Sequence, residues 1–304
     1  MNIGYACINM TLSKEKPKIT TNRSMVKKTF LEKGINYASE LSLLNVKDLL
    51  TILKWNFENK ISFFRISSDI FPWASEYKLK NMPDYKQIKT ILKECGIYAK
   101  KNKIRLTAHP GPFNVLTSPH ENVIKRTFTD LKIHGSFFDM MNLERNPYNK
   151  INIHCNGVYG DKKSAMDRFC YNFKKLPESV KTRLTIENDD KASMYSVKDL
   201  MYIHEKTGVP IVFDYHHHKF CDGGLTEEEA LNLAISSWPK NITPVVHYSE
   251  SKSIHEKNNQ IKPQAHSDYI NKLPKTYGKK VDIMVEAKAK ELAVIKYKEL
   301  HECN

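Results

Sequence analysis

The sequence predicts an α/β fold: a single (β/α)8, or TIM, barrel over residues 1–304, with its site at the carboxyl ends of the strands. Three observations lead there. A chain of 304 residues is long enough for one such barrel and carries no internal repeat, low-complexity tract or linker that would divide it. Short apolar runs alternate with longer stretches of helical period, the pattern of strand followed by helix. The first run is followed by "CINMTL", which lacks the Gly-rich phosphate loop that a doubly wound open sheet would normally place there.

The strand candidates, in order, are 2–6 (NIGYA), 61–67 (ISFFRIS), 104–109 (IRLTAH), 151–155 (INIHC), 183–187 (RLTIE), 210–214 (PIVFD), 244–248 (PVVHY) and 282–286 (DIMVE). They are rich in Ile, Val and Phe and mostly continuous, as strands buried on both faces should be. Between them, Val46, Leu49, Leu50, Leu53 and Phe57 follow helical spacing, as do Ile88, Ile91, Leu92 and Cys95. Pro119 is expected to open a helix, Ser196 with Asp199 to cap one, and the acids of "TEEEALNLA" (226–234) to fill a first turn. Strand then helix is thus expected eight times.

Composition narrows the partners. Lys and Arg number 48 against 34 Asp and Glu, a formal charge of +14, which attracts phosphates and favours nucleic acid or an anionic surface. A merely Lys-rich exterior is the competing explanation. The cysteines Cys7, Cys95, Cys155, Cys170, Cys221 and Cys303 show no C-x-x-C pair, and "MNIGYACINM" has no signal-peptide pattern. The expectation is an intracellular protein with reduced thiols, cytoplasmic or associated with the nucleoid, and no membrane span.

The chemistry collects at the strand ends. His109, His154, Glu187, Asp214, His247 and Glu286 each end a predicted strand or stand one residue before its end, and His217 lies three residues beyond Asp214. A barrel gathers the carboxyl ends of its strands around one mouth. Any one of these residues alone is better read as a buried, hydrogen-bonded histidine or a capping acid. Together they point to a polynuclear metal site, because imidazole and carboxylate are ligands for zinc and manganese. Within "DYHHH" (214–218), Asp214 and His217 are assigned to the mouth. His216 and His218 should point elsewhere, solvated by default, with support of a ligand from behind as the alternative for one of them.

These residues, in this order, resemble the UV damage endonuclease family, a metal-dependent branch of the endonuclease IV-like barrels. The resemblance runs from "IGYACINMTL" (3–12) to "DIMVEAKAKE" (282–291) through "FFRISSDIFPWAS", "HPG", "YGDK", "ENDD", "GVPIVFDYHHH", "HYS" and "AHSDYI". It implies an enzyme that nicks damaged double-stranded DNA immediately 5′ of ultraviolet photoproducts, and in some members at abasic sites, leaving a 3′-hydroxyl and a 5′-phosphate. It implies one ion held by His109, His154 and Glu187, a second by Glu187, Asp214, His247 and Glu286, and a third by His217 and His266. His266 comes only from the resemblance. Two or three divalent ions are implied, Mn2+ by family habit, with Zn2+ or Mg2+ as alternatives; Mg2+ suits a histidine-rich set least. Glu187, His109 and Glu286 are the implied catalytic set, in a chain that acts as a monomer.

The resemblance also implies lesion contacts at Tyr5, Asn9, Pro112 and Phe113, with Lys162 on a phosphate. The competing reading packs Tyr5 in the barrel and Phe113 under its own loop. Three departures from the family pattern bear on lesion range and rate: Pro112 stands where glutamine is usual, Val245 where many relatives carry lysine, and Asn156 where glycine is commoner. Two rival functions share the barrel, a general abasic-site endonuclease and a metal-dependent sugar isomerase or epimerase. A basic DNA-binding module with a structural metal is disfavoured, since structural zinc sites are usually cysteine-rich.

Overall fold

Eight four-residue strands form inside the predicted apolar runs: β1 (Ile3–Ala6), β2 (Phe63–Ile66), β3 (Arg105–Ala108), β4 (Ile151–His154), β5 (Leu184–Glu187), β6 (Ile211–Asp214), β7 (Val245–Tyr248) and β8 (Asp282–Val285). The computed structural model describes residues 1–301, so Cys303 lies outside the described residues. Each strand pairs in parallel with its sequence neighbours. β1 also pairs with β8, with Tyr5 opposite Val285, and the sheet closes into a barrel.

Around it lie α1 (Lys27–Glu58), α2 (Tyr85–Lys101), α3 (Glu121–Met140), α4 (Lys162–Lys174), α5 (Glu178–Lys181), α6 (Val197–Thr207), α7 (Tyr215–His218), α8 (Glu227–Ser236), α9 (Lys252–His255) and α10 (Glu291–His301). The helical spacing in α1 buries Val46, Leu49 and Leu53, half-buries Leu50 and leaves Phe57 exposed. Pro119 lies ahead of α3, whose cap is His120. Ser196 and Asp199 form a capping box on α6, and Thr226 and Glu229 form one on α8. The eightfold alternation fails once: between β7 and β8 the only helix among the described residues is the single turn α9. That segment is polar and carries Pro263 and Pro274, with no apolar helical period to pack on the barrel.

The pleat decides what faces inward. Phe63, Val212, Val245 and Met284 fill the barrel interior together with Trp238. Two residues further along the same strands stand Arg65, Asp214, His247 and Glu286, one layer nearer the mouth. At the opposite end Arg105 is fully buried, donating to the carbonyls of Tyr148 and Thr243 and to Asp282 Oδ2 (2.9 Å). That network closes the floor. Among the described residues, no helix is long and apolar enough to cross a membrane.

Candidate metal centre

Strand pairing sets the predicted ligands side by side: His154 lies opposite Glu187, and Asp214 opposite His247. Glu187 is completely buried at the centre. Its Oε2 is 3.1 Å from His109 Nε2, 3.1 Å from His247 Nδ1 and 3.8 Å from His154 Nε2, and its Oε1 is 3.5 Å from His217 Nδ1. His247 Nδ1 is also 3.2 Å from Glu286 Oε1. Three sets of donor atoms lie within 4.8 Å of one another: His109, His154 and Glu187; Glu187, Asp214 and His217; and Asp214, His247 and Glu286.

The first set is the trio implied for one ion. The others divide differently from the implied scheme. His217 groups with Glu187 and Asp214, so Asp214 as well as Glu187 is shared between sets. His266 falls in none of them, its ring centroid 6.3 Å from that of His217.

Cations fit this arrangement. Glu187 Oε1, Asp214 Oδ2 and His247 Nδ1 are buried atoms with no hydrogen-bond partner. Buried carboxylates this close together require compensating positive charge. The Asp214 carboxyl is raised above its ordinary range by burial, with the charges of Glu187 and Glu286 adding to the effect and His217 opposing it. Burial would raise Glu187 too, yet His247, His154 and His109 hold it well below the usual carboxylate range. Burial pushes His109 down to about 4, so its ring stays neutral and keeps a lone pair. Mixed imidazole and carboxylate donors suit Mn2+ or Zn2+.

Asp214 has two tasks. Its Oδ1 accepts the backbone N–H groups of His216 (2.7 Å) and His217 (2.8 Å), capping α7, while Oδ2 stays unpaired. This cap turns the histidine run back into the protein, which corrects the expectation of solvated flanks. His216 is fully buried, 3.1 Å from the Gln264 carbonyl through Nε2 and edge-on to His266. His218 is buried against Phe213.

Several polar neighbours escaped the sequence reading. Arg65 forms an ion pair with Glu286, whose carboxyl sits well below its ordinary range because Arg65 and His247 outweigh the burial. Asn152 donates to Glu187 and accepts from Thr185 Oγ1 (2.7 Å). Asp189 Oδ1 lies 3.0 Å from His154 Nδ1. Lys150 is completely buried, with Nζ 3.1 Å from His247 Nε2, and burial pushes its amine down to about 7 against the pull of Glu187. Lys150 and Asn152 precede His154 at inward, two-residue spacing, and Arg65 follows the inward Phe63 at the same spacing on β2, signals that were present in the sequence.

The implied lesion contacts separate sharply. Phe113 is 87% exposed, on the rim of a cavity of about 800 Å³ that also includes His109, Cys7 and Ser67. Pro112 is exposed beside it. Its carbonyl accepts from Asn156 Nδ2 (3.3 Å), and Asn156 adopts a left-handed φ of 52° that asparagine tolerates where glycine is commoner. Tyr5 and Asn9 must be corrected. Both are 0% exposed; the Tyr5 hydroxyl donates to Asn56 Oδ1 (2.8 Å) on α1 and accepts from Asn9 Nδ2 (3.0 Å), so neither offers surface to a duplex. Lys162 is also spoken for: its ammonium pairs with Asp199 Oδ2 at 3.0 Å, the acid of the α6 capping box.

The model of the family described as UV-endonuclease UvdE matches residues 1–304. A UV DNA damage endonuclease of Clostridium perfringens is 35% identical over 301 residues, 97% of this chain and 69% of that protein. The crystal structure of SacUVDE superposes with a TM-score of 0.85 at 32% identity, covering 99% of this chain and 98% of that one. A D-psicose 3-epimerase from Clostridium cellulolyticum H10 superposes at TM-score 0.53 and 11% identity over 78% of this chain and 79% of that chain, a likeness of fold alone. A family match along its entire length and a relative more than 30% identical place this chain in the UV-endonuclease family.

Proposed function

We propose that this protein incises damaged double-stranded DNA immediately 5′ of ultraviolet photoproducts, and at some abasic sites, leaving a 3′-hydroxyl and a 5′-phosphate. The observation that carries the reading is Glu187, buried and shared between two sets of metal-competent donors at the mouth of a +14 protein. Two or three divalent ions, Mn2+ foremost, would supply Lewis-acid activation of water and neutralise charge on the phosphate. His109, His154, Glu187, Asp214, His217, His247 and Glu286 would hold them, with His266 at the edge. Glu187 and Asp214 fix the spacing between neighbouring sets, and Asn152 fixes the Glu187 rotamer. Arg65 holds Glu286 in place. The chain acts as a monomer, with Phe113 as the exposed element that meets the distorted duplex and the basic surface carrying phosphate contacts.

The test is a duplex carrying one cyclobutane dimer at a defined position, incubated with protein and Mn2+ beside abasic and undamaged controls. A single nick on the 5′ side of the dimer, with an end that a polymerase extends, is the expected result. Cleavage of the abasic duplex alone would replace this reading with a general abasic-site endonuclease. No cleavage of any duplex would return the sugar-isomerase reading.

A further inference from the structure

Charge is distributed unevenly around the mouth. β7, β8 and β1 are neighbours in the barrel. The two long connections that rise from this side, residues 7–26 after β1 and 249–275 after β7, carry nine cations against four acids. Across the mouth, the five loops that follow β2 to β6 (67–84, 109–120, 155–161, 188–196 and 215–226) carry four cations against seven acids. There α8 opens with three glutamates, and the lysines that start α4 are paired, Lys162 with Asp199 and Lys163 with Asp167. Lys125 and Arg126 on α3 line the cavity below Phe113 and belong with the lesion, not with the flanking duplex.

The basic side is one connected ridge. Buried Glu291 accepts the backbone N–H groups of Met10 (2.8 Å) and Thr11 (2.7 Å), tying the β1 connection to the start of α10. The backbone N–H groups of Lys288 and Ala289 donate to the carbonyls of Ser267 (3.0 Å) and Asp268 (2.9 Å), tying the β7 connection to the same turn. Farther out, Trp73 Nε1 donates to the Met25 carbonyl (2.9 Å) and Phe30 stacks on Trp73, so the start of α1 is held as well. Lys16, Lys18, Lys27 and Lys28 stand exposed along the β1 connection and the first turn of α1. Along the β7 connection the exposed lysines are Lys257, Lys262, Lys272 and Lys275. Among the described residues, no ion pair neutralises any of these eight. Lys27 and Lys28 also add to the positive end of α1, whose first turn holds no acid. Like charges fixed in this way repel one another until a polyanion meets them.

We propose that this ridge, and not the rim as a whole, carries the phosphate contacts: the duplex is gripped chiefly where it crosses β7, β8 and β1, so the footprint extends mainly to one side of the lesion. The inference rests on the reading of duplex DNA as substrate and deepens it by assigning the grip to two connections.

Lys16→Gln, Lys18→Gln, Lys27→Gln and Lys28→Gln are combined in one full-length variant, and Lys257→Gln, Lys262→Gln, Lys272→Gln and Lys275→Gln in a second. A control combines Lys54→Gln, Lys93→Gln, Lys101→Gln and Lys174→Gln, exposed on α1, α2 and α4. Circular dichroism reports the fold, elemental analysis the Mn2+ content, and binding to undamaged duplex is measured across a range of salt. Each ridge variant is expected to hold wild-type Mn2+ and to lose about 0.9 from the slope of log affinity against log salt for each contact removed. The control should keep the wild-type slope. Dimer-containing duplexes trimmed to half a helical turn on one side of the lesion or the other are then compared as substrates. Trimming one side should raise the wild-type KM about 10-fold or more, since it removes several phosphate contacts, and trimming the other should change it little. The ridge variants should lose that difference. Equal effects of the two trims, a control that falls as far as the ridge variants, or ridge variants with the wild-type slope would each overturn the proposal. The trimmed duplexes need only wild-type protein, so they decide the matter even where a variant does not fold. Wild-type protein that neither binds nor nicks a dimer-containing duplex would instead overturn the DNA reading, and this inference with it.

Discussion

Asp189 Oδ1 sits 3.0 Å from His154 Nδ1, and its other oxygen accepts the Tyr195 backbone N–H at 3.2 Å. The carboxylate is therefore fixed in the turn after β5 before it orients the ring, and His154 Nε2 is left facing Glu187. Partners of this kind typically contribute 10- to 100-fold in metal affinity. Asp189→Ala should accordingly weaken Mn2+ binding by about that factor while the barrel stays folded. Mn2+ titration of the variant checks it, and unchanged affinity would make Asp189 a loop residue only.

Glu187→Gln should abolish function more thoroughly. The acid is shared by two donor sets and is the negative charge that His109, His154 and His247 surround. Replacing it removes one ligand oxygen's charge from both sets at once, so incision of a dimer-containing duplex should fall by roughly 10³-fold or more, as for groups that act as a unit. Bound Mn2+ should fall as well. Wild-type cleavage with full metal content would remove Glu187 from the centre.

The strands were legible because each is a short apolar run, and six of the candidate ligands because each stands at the end of one or next to it. What stayed hidden depends on closure of the barrel. Lys150 and His247 are 97 residues apart in sequence, and only the meeting of β4 and β7 across the interior joins them. Arg65 was more accessible, since it alternates with Phe63 on a face that turned out to be inward. The same alternation argues against Tyr5 as a DNA contact: Ala6 faces the interior, so Tyr5 faces the helices, where it packs on Phe64 and bonds Asn56. The β7–β8 segment could not be read because its course follows contacts such as Ser251 with His266 rather than a periodic pattern.

His217 gives a pH signature. Burial opposes its protonation, but Asp214, Glu187 and Glu286 lift it to about 10 in the metal-free fold. The unfolded value is about 6.5. A group raised on folding contributes stability that is complete below the unfolded value and is lost as pH climbs through the folded one. Metal-free protein should therefore lose the His217 contribution between about pH 6.5 and pH 10, and His217→Gln should lose less over that interval. For the same reason Mn2+ uptake near pH 8 should release a proton from His217. Calorimetry in buffers of different ionisation enthalpy reads that proton, and equal release by wild type and His217→Gln would refute the assignment.

Phe113 is the exposed aromatic left among the proposed lesion contacts, now that Tyr5 is internal. Its loop is pinned beneath it: Asn114 Nδ2 donates to the Gly111 carbonyl (3.1 Å) and to Asp130 Oδ2 (2.6 Å), and Asn156 holds the Pro112 carbonyl. The ring itself is 87% exposed, so folding gains little from it, and Phe113→Ala should change stability by no more than about 0.5 kcal/mol. Pro112 has no side-chain amide to hydrogen-bond a base, which leaves recognition here to shape and stacking. An aromatic stacked on a base contributes about 1–3 kcal/mol by alanine substitution, which is roughly 10- to 100-fold in affinity at ~1.4 kcal/mol per decade. Phe113→Ala should weaken binding to dimer-containing duplex by that amount, leaving Mn2+ content and affinity for undamaged duplex unchanged. Undamaged duplex should be held mostly through phosphates, to which an aromatic ring contributes little. Parallel titrations of damaged and undamaged duplexes decide it: equal losses on both would make Phe113 a general contact, and no loss on either would move damage recognition to another loop.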